Sequence, residues 1–222
     1  MHYDEGSGPT PDIGGSGVSG PSSPRKDDSI TDAFSKKTSA QLITAGQFRS
    51  MKEHLDLHVV GVTGFSGQWS QEKIDSDPSL KETVDRANLL LTLKLVELST
   101  RYGDRLIVSS GATMEGVPKL IYEACESLGI SAMGVTSEKA ADYELGKMDY
   151  LIVEGKDWGD ESKTFIDSSD EILMIGGGGQ AKREAIAANT EGKPVTVFQG
   201  FGGSADQLSA SDVPGADFVG RH

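Results

Sequence analysis

The sequence predicts an α/β protein: an open parallel sheet with helices on both faces, preceded by an extended N-terminal arm. Three observations lead there. From His58 onward, apolar runs of strand length alternate with segments of helical period, a pattern that right-handed crossovers turn into a parallel sheet. Turns rich in Gly and Ser follow three of the strands, at Gly64, Gly111 and Gly176. Residues 1–28 are instead dominated by Gly, Ser, Pro and Asp, and bury too little apolar surface to offset the entropy of ordering.

Composition narrows the function classes. A chain of 222 residues with 36% hydrophobic content has room for one α/β domain diluted by polar sequence. The formal charge of −13 and a pI near 4.7 oppose a nucleic-acid or anionic-membrane surface, because phosphate backbones are held by clustered Lys and Arg. Cys125, the single cysteine, excludes an intramolecular disulfide and a cysteine-based zinc site. That fits a reducing, cytoplasmic setting or a place in a larger assembly. Cys125 falls in an apolar helical pattern, where a small buried filler is expected. No 18-residue apolar run and no signal peptide are visible, so no membrane association is expected.

Taken in order, the arm, 1–28, should be disordered unless a protein partner holds it. Residues 29–57 form a connector, with Ile30, Phe34, Leu42, Ile43, Phe48, Met51 and Leu55 supporting one or two short helices. The body, 58–203, opens with a strand at 58–63 that runs into Gly64-Phe65-Ser66-Gly67. The spacing Gly61-x-x-Gly64-x-x-Gly67 is that of a short-chain dehydrogenase turn, but three features oppose it. The next helix opens late, with Ser79-Leu80-Lys81-Glu82 in the form of a capping box. No acidic residue ends the second strand to hold a ribose. Tyr143 and Lys147, though suitably spaced, follow the glycines too early.

Leu80, Val84, Ala87, Leu91, Leu95 and Leu98 recur at steps of three and four, which predicts a core-facing helix over 79–101. A strand at 104–110 leads into the turn from Gly111 to Gly116 and a helix at 117–128. Strands at 130–135 and 150–153 enclose a short polar helix or loop at 137–148, and 154–169 reads as a polar connection. The strand 172–175 feeds four glycines and a helix carrying Ala181, Ala185, Ile186 and Ala188. A last strand at 193–198 precedes a tail, 204–222, of Gly, Ser and Asp.

The stretch Asp170 to Glu184 organises the chemistry. Glycines between a strand and a helix let a ligand touch main-chain N–H groups, and the helix presents its unpaired N–H groups and positive dipole end at the same point. The natural occupant is an anion, most often phosphate. Glu184 also suits the first turns of a helix for dipole reasons alone. His54 and His58 lack metal-ligand spacing, and no metal is expected there. Asp157, Asp160 and Glu161 form an acidic loop of a composition able to hold a divalent cation but usually just solvated. Trp158 is placed to stack on a base or to anchor its loop.

This stretch resembles the signature Pro-Gly-Gly-x-Gly-Thr-x-x-Glu of the LOG-like proteins, long labelled lysine decarboxylases and part of the wider SLOG group of Rossmann-like nucleotide-binding domains. With Asp170 on the family's strand-opening Asp, Gly176 falls on the Pro, Gly177 and Gly178 on the paired glycines, and Glu184 on the Glu. Gln180 stands in place of Gly and Ala181 in place of Thr, whose hydroxyl would be a phosphate ligand. Ser110 and Gly111 resemble the group's second-strand turn, and Gly134-Val135-Thr136 resembles its Gly-Val-Ile-Pro.

The resemblance implies a Rossmann-like sheet binding a small nucleotide or other phosphate-bearing ligand. The ligand-binding residues are then Gly64, Ser66, Gly67, Ser110, Gly111, Ala112, Thr113, Gly176, Gly177, Gly178, Gly179, Gln180 and Ala181. It further implies a homodimer or higher assembly and no additional cofactor. In LOG enzymes the Glu, here Glu184, and an Arg act on the N-glycosidic bond of a nucleoside monophosphate. Where that Arg belongs, this chain reads Asp160-Glu161-Ser162-Lys163. Three readings stay open: a catalytically divergent nucleotide-binding domain, an N-glycosidic hydrolase using Glu184, and an assembly scaffold whose arm binds partners.

Overall fold

The computed structural model describes residues 26–220; the expectations attached to the rest of the arm lie outside the described residues. The connector forms two helices, α1 (Lys26–Ser35) and α2 (Ala45–Leu55), around a two-residue strand, β1 (Gln41–Leu42). Thr44 and Gln47 close a reciprocal capping box at the start of α2, and so fix where that helix begins.

The body follows as β2 (His58–Gly64), α3 (Gln71–Ser76), α4 (Pro78–Tyr102), β3 (Leu106–Ser110), α5 (Gly116–Leu128), β4 (Ser131–Thr136) and β5 (Tyr150–Val153). It continues as α6 (Ser162–Ser168), β6 (Glu171–Ile175), α7 (Gly179–Thr190), β7 (Val195–Phe198) and β8 (Asp217–Val219). All neighbouring strands pair in parallel, in the order β1-β5-β4-β3-β2-β6-β7-β8.

The two-residue period of the strands sorts the core into two layers. Val60, Val62, Leu173 and Ile175 join a cluster with Ala87, Leu91 and Leu95 of α4 and Val117 and Ile121 of α5. Val59, Ile172 and Met174 join the opposite cluster with Phe48 of α2, Phe165 of α6 and Ala185 of α7. The sheet is thus covered on both faces, as parallel sheets require. The chain winds outward from β2 to β5, then returns to the other side of β2 as β6, β7 and β8. Where winding reverses, the loops leaving the strands' carboxyl ends diverge and leave a crevice.

Three local expectations are corrected. α4 does not start from Ser79: Asp77 is its N-cap, accepting from the N–H groups of Ser79 at 2.9 Å and Leu80 at 3.2 Å, with Pro78 in the first turn where its missing N–H costs nothing. The connection before β6 contains α6, whose seven residues give too little length for a readable period but bury Phe165 and Ile166. The last strand is β8, which pairs three residues of the Gly/Ser/Asp-rich stretch with β7.

Candidate functional site

The carboxyl ends of β2, β3 and β4, with the turns after β2, β3 and β6, line a cavity of about 360 Å³. The first turn contributes Gly64, Ser66 and Gly67, and the second contributes Ser110, Gly111, Ala112 and Thr113. The third contributes Gly178, Gln180 and Ala181, with Glu184 one turn deeper. These predicted residues, scattered over more than half the chain, therefore share one space.

Gly176, Gly177 and Gly179 are not among the lining residues. Gly176 and Gly177 adopt φ of 62° and 83°, angles that favour glycine, and they turn the chain from β6 into α7. A Cβ on Gly176 would stand 2.4 Å from the Phe65 ring, and one on Gly177 would stand 2.7 Å from the Ala181 Cβ. Their carbonyls accept from the N–H groups of Ala205 and Ser204 at 2.9 and 2.8 Å. Close packing and turn geometry, not ligand contact, account for these two glycines. Gly178 has nothing within 4 Å of where a Cβ would stand, so its backbone is open to a ligand.

The N-cap of α7 is Gly178, and no side chain caps the helix. The N–H of Lys182 is the one that reaches back to the Gly178 carbonyl, at 3.1 Å, so the N–H groups before it have no intrahelical acceptor. α5 also begins at the cavity but offers less. Its Val117 N–H donates to the Phe65 carbonyl at 2.7 Å, and Pro118, which lines the cavity, has no N–H. Amide donors for an anion are therefore concentrated at α7.

The floor of the cavity is a network around two buried carboxylates. Glu184, 5% exposed, accepts from Thr63 Oγ1 at 2.6 Å on one oxygen and from Ser162 Oγ at 2.6 Å on the other. Gln180 Nε2 lies 3.0 Å from Glu184 Oε1, 3.0 Å from Glu161 Oε1 and 3.2 Å from Ser162 Oγ. Glu161, 6% exposed, also accepts from the Gly159 N–H at 2.9 Å. Burial pushes the Glu184 carboxyl above its ordinary range; the bonds from Ser162, Thr63 and Gln180 pull it back, and the charge of Glu161 adds to the rise. Gln180, where the resembling family has Gly, thus bridges two like charges.

Thr63, Thr136, Glu115, Tyr143 and Glu161 also line the cavity without having been singled out as binding residues from the sequence. The alternation along β2, which puts Val62 in one core layer, is the signal that would have turned Thr63 toward α7. Trp158 and Tyr143 stand partly exposed at the lining, edge to face with ring centroids 5.6 Å apart. The charged side chains of the lining are Glu115, Glu161 and Glu184, with no Lys, Arg or His among them.

The acidic loop is explained by its own bonds. Asp160 accepts from the N–H groups of Asp157 and Lys156 at 3.0 and 2.9 Å, which holds its carboxyl below the usual range. Asp157 pairs with Lys139 at 2.6 Å. Among the described residues no group of three or more His, Cys, Asp or Glu is placed to hold a metal ion. His58 stacks on Tyr102 at 3.7 Å and meets Glu171 at 2.9 Å. Behind the second turn, Tyr122 donates from a fully buried hydroxyl to the Gly111 carbonyl at 2.6 Å, and burial raises its pKa. Burial pushes the Cys125 thiol up to about 12, so it is the inert filler expected from its helical pattern.

No curated protein matches the chain. Among solved structures, the X-ray structure of TM1055 is 22% identical with a TM-score of 0.55, over 73% of this chain and 92% of that one. The molybdenum cofactor carrier protein of Chlamydomonas reinhardtii is 20% identical with a TM-score of 0.55, over 74% and 90%. The molybdenum cofactor binding protein of Rippkaea orientalis is 16% identical with a TM-score of 0.53, again over 74% and 90%. At such identities these likenesses show the shared fold. A family model described as "SLOG in TRPM, prokaryote" matches residues 77–219, which include the second and third glycine turns and both buried carboxylates. The match takes in well over half the chain, and with the parallel sheet and its crevice it makes this protein a member of that SLOG family.

Proposed function

We propose that the cavity binds a small phosphate-bearing ligand of nucleotide type, without the turnover of the LOG enzymes. One observation carries the reading: an uncapped N-terminus of a 12-residue helix opens, at Gly178, into a cavity at the point where the sheet's winding reverses. The phosphate rests on the amides of Gly178 to Ala181, helped by the Thr113 hydroxyl; the Ser110 hydroxyl is spent on the Val62 carbonyl at 2.8 Å. With Ala181 in place of Thr, that grip has no hydroxyl from α7 itself. The ring of the ligand belongs with Trp158 and Tyr143. Because the lining supplies three carboxylates and no cation, the rest of the ligand is best satisfied by N–H donors.

Isothermal calorimetry with AMP, GMP and an NAD-type dinucleotide tests this. Two structural neighbours are named for carrying or binding the molybdenum cofactor, so that compound joins the panel. Saturable heat with at least one phosphate-bearing ligand and none with its dephosphorylated form is expected. Absence of heat throughout would refute the reading.

A second reading, hydrolysis of an N-glycosidic bond, is favoured by Glu184 alone: a buried carboxylate whose pKa is raised, lying within the cavity. Against it, Ser162 occupies the Arg region and spends its hydroxyl on Glu184. Release of free base from a nucleoside monophosphate, abolished in Glu184→Gln, would select hydrolysis over simple binding.

A further inference from the structure

The three carboxylates of the cavity differ in how far the protein itself has used them. Glu184 spends both oxygens on Thr63, Ser162 and Gln180, and Glu161 spends both on Gln180 and the Gly159 N–H. Glu115, half-buried in the lining at the N-cap of α5, has no hydrogen-bond or ion-pair partner among the described residues. It does not cap its own helix. The lysines on the elements beside it are occupied: Lys73 donates to the Gly67 carbonyl at 2.7 Å, and Lys119 reaches Gln71 at 2.8 Å and Glu123 at 3.9 Å. Against the first turn its Oε2 faces Gly67, 3.7 Å from where a Cβ would stand, and glycine brings no side-chain donor.

The backbone places this free carboxylate beside the aromatic pair. Thr113 bridges Leu145 in antiparallel fashion, the Met114 N–H donates to the Glu144 carbonyl at 2.9 Å, and the Gly146 N–H donates to the Ala112 carbonyl at 2.9 Å. The chain leaving Met114 therefore runs toward Tyr143, and Glu115 lies at the end of the cavity where Tyr143 and Trp158 stand. We infer that Glu115 reads the edge of the ligand's ring, and that this ring carries two adjacent N–H donors, as guanine does in its ring N–H and exocyclic amine. The inference rests on the phosphate-binding reading above and names the base that goes with it. A carboxylate only accepts, and its two oxygens lie side by side, so two parallel N–H donors in one plane satisfy it best. Adenine and cytosine set one amine beside a ring-nitrogen lone pair, which a carboxylate repels. Hypoxanthine keeps the ring N–H and lacks the amine. Uracil flanks its single N–H with carbonyls. Pterins share the guanine edge.

Isothermal calorimetry of the full chain with GMP, IMP, AMP, dGMP and neopterin phosphate tests this. GMP should bind about 10- to 100-fold more tightly than IMP, the discrimination expected of one bidentate pair, and AMP should bind no better than IMP. Glu115→Gln, which keeps one acceptor and loses the charge, should shrink the GMP-to-IMP ratio to about 3-fold or less. Its circular dichroism melt should match wild type, since the side chain holds nothing in the free protein. Neopterin phosphate binding more tightly than GMP, and losing that affinity in Glu115→Gln, would keep the edge and assign it to a pterin. Equal binding of GMP and IMP by the wild type would overturn the inference and leave phosphate binding standing. A GMP preference that survives Glu115→Gln, or one that dGMP loses with its 2′-hydroxyl, would overturn it too. Absence of heat with every compound would overturn this inference and the reading beneath it together.

Discussion

Replacing Gln180 by Ala should destabilise the protein by about 2 kcal/mol. The side-chain amide has two N–H groups and faces three acceptors, of which the carboxylate oxygens of Glu161 and Glu184, both at 3.0 Å, are the stronger. Two bonds to charged groups would contribute roughly 3 to 6 kcal/mol together, but water entering the cavity replaces part of them. The loss also removes the bridge between two carboxylates that are each more than nine-tenths buried. Urea unfolding at pH 7 reads the effect directly. In a Glu184→Gln background only one charged partner remains, so the same substitution should cost about 1 kcal/mol, and the cycle should show the difference as coupling. A change below about 0.5 kcal/mol, or an equal cost in both backgrounds, would refute the view that Gln180 holds the two acids together.

Three further outcomes are expected. Because Glu184 holds its proton to higher pH when folded, the folded state binds more protons above the ordinary carboxylate range, so stability falls as pH rises from about 4.5 toward the raised value and then levels. The melting temperature of Glu184→Gln relative to wild type should therefore rise between pH 4 and pH 7; a constant difference would contradict the shift. Gly64→Ala should cost about 3 kcal/mol in thermal unfolding, since its Cβ would stand 2.3 Å from the Ile175 carbonyl oxygen and 2.6 Å from Val117 Cγ2. Trp158→Ala should leave stability within about 0.5 kcal/mol yet weaken nucleotide binding about 10-fold by calorimetry, as loss of one stacking face predicts; an unchanged affinity would move the ring elsewhere.

Much of the fold was legible because burial repeats locally. The three-and-four spacing from Val84 to Leu98 marked α4, and apolar runs marked the central strands within a residue or two of their observed ends. The winding reversal beside β2 was harder to see, but glycine-rich turns at Gly111 and Gly176 did mark a shared sheet edge. What stayed hidden depends on distant pairing. Thr63 meets Glu184 across 121 residues of chain, and nothing near Thr63 in sequence announces its partner. Glu161 read as solvated loop because the Gln180 amide that meets its carboxylate comes from α7, 19 residues further along the chain. β8 went unread because three residues among glycines and aspartates become a strand only when β7 offers them an edge. The four glycines illustrate a different limit: two were needed for the bend itself, and only the backbone angles separate those from the one left open.

A cavity walled by Glu115, Glu161 and Glu184, in a chain of net charge −13, has a consequence for how an anionic compound arrives. At long range the protein repels it, and attraction begins only within reach of the α7 amides. Capture should then quicken as salt is added, the reverse of a basic funnel, because ions shorten the repulsive field to a Debye length of about 10 Å at 0.1 M while leaving the amide contacts intact.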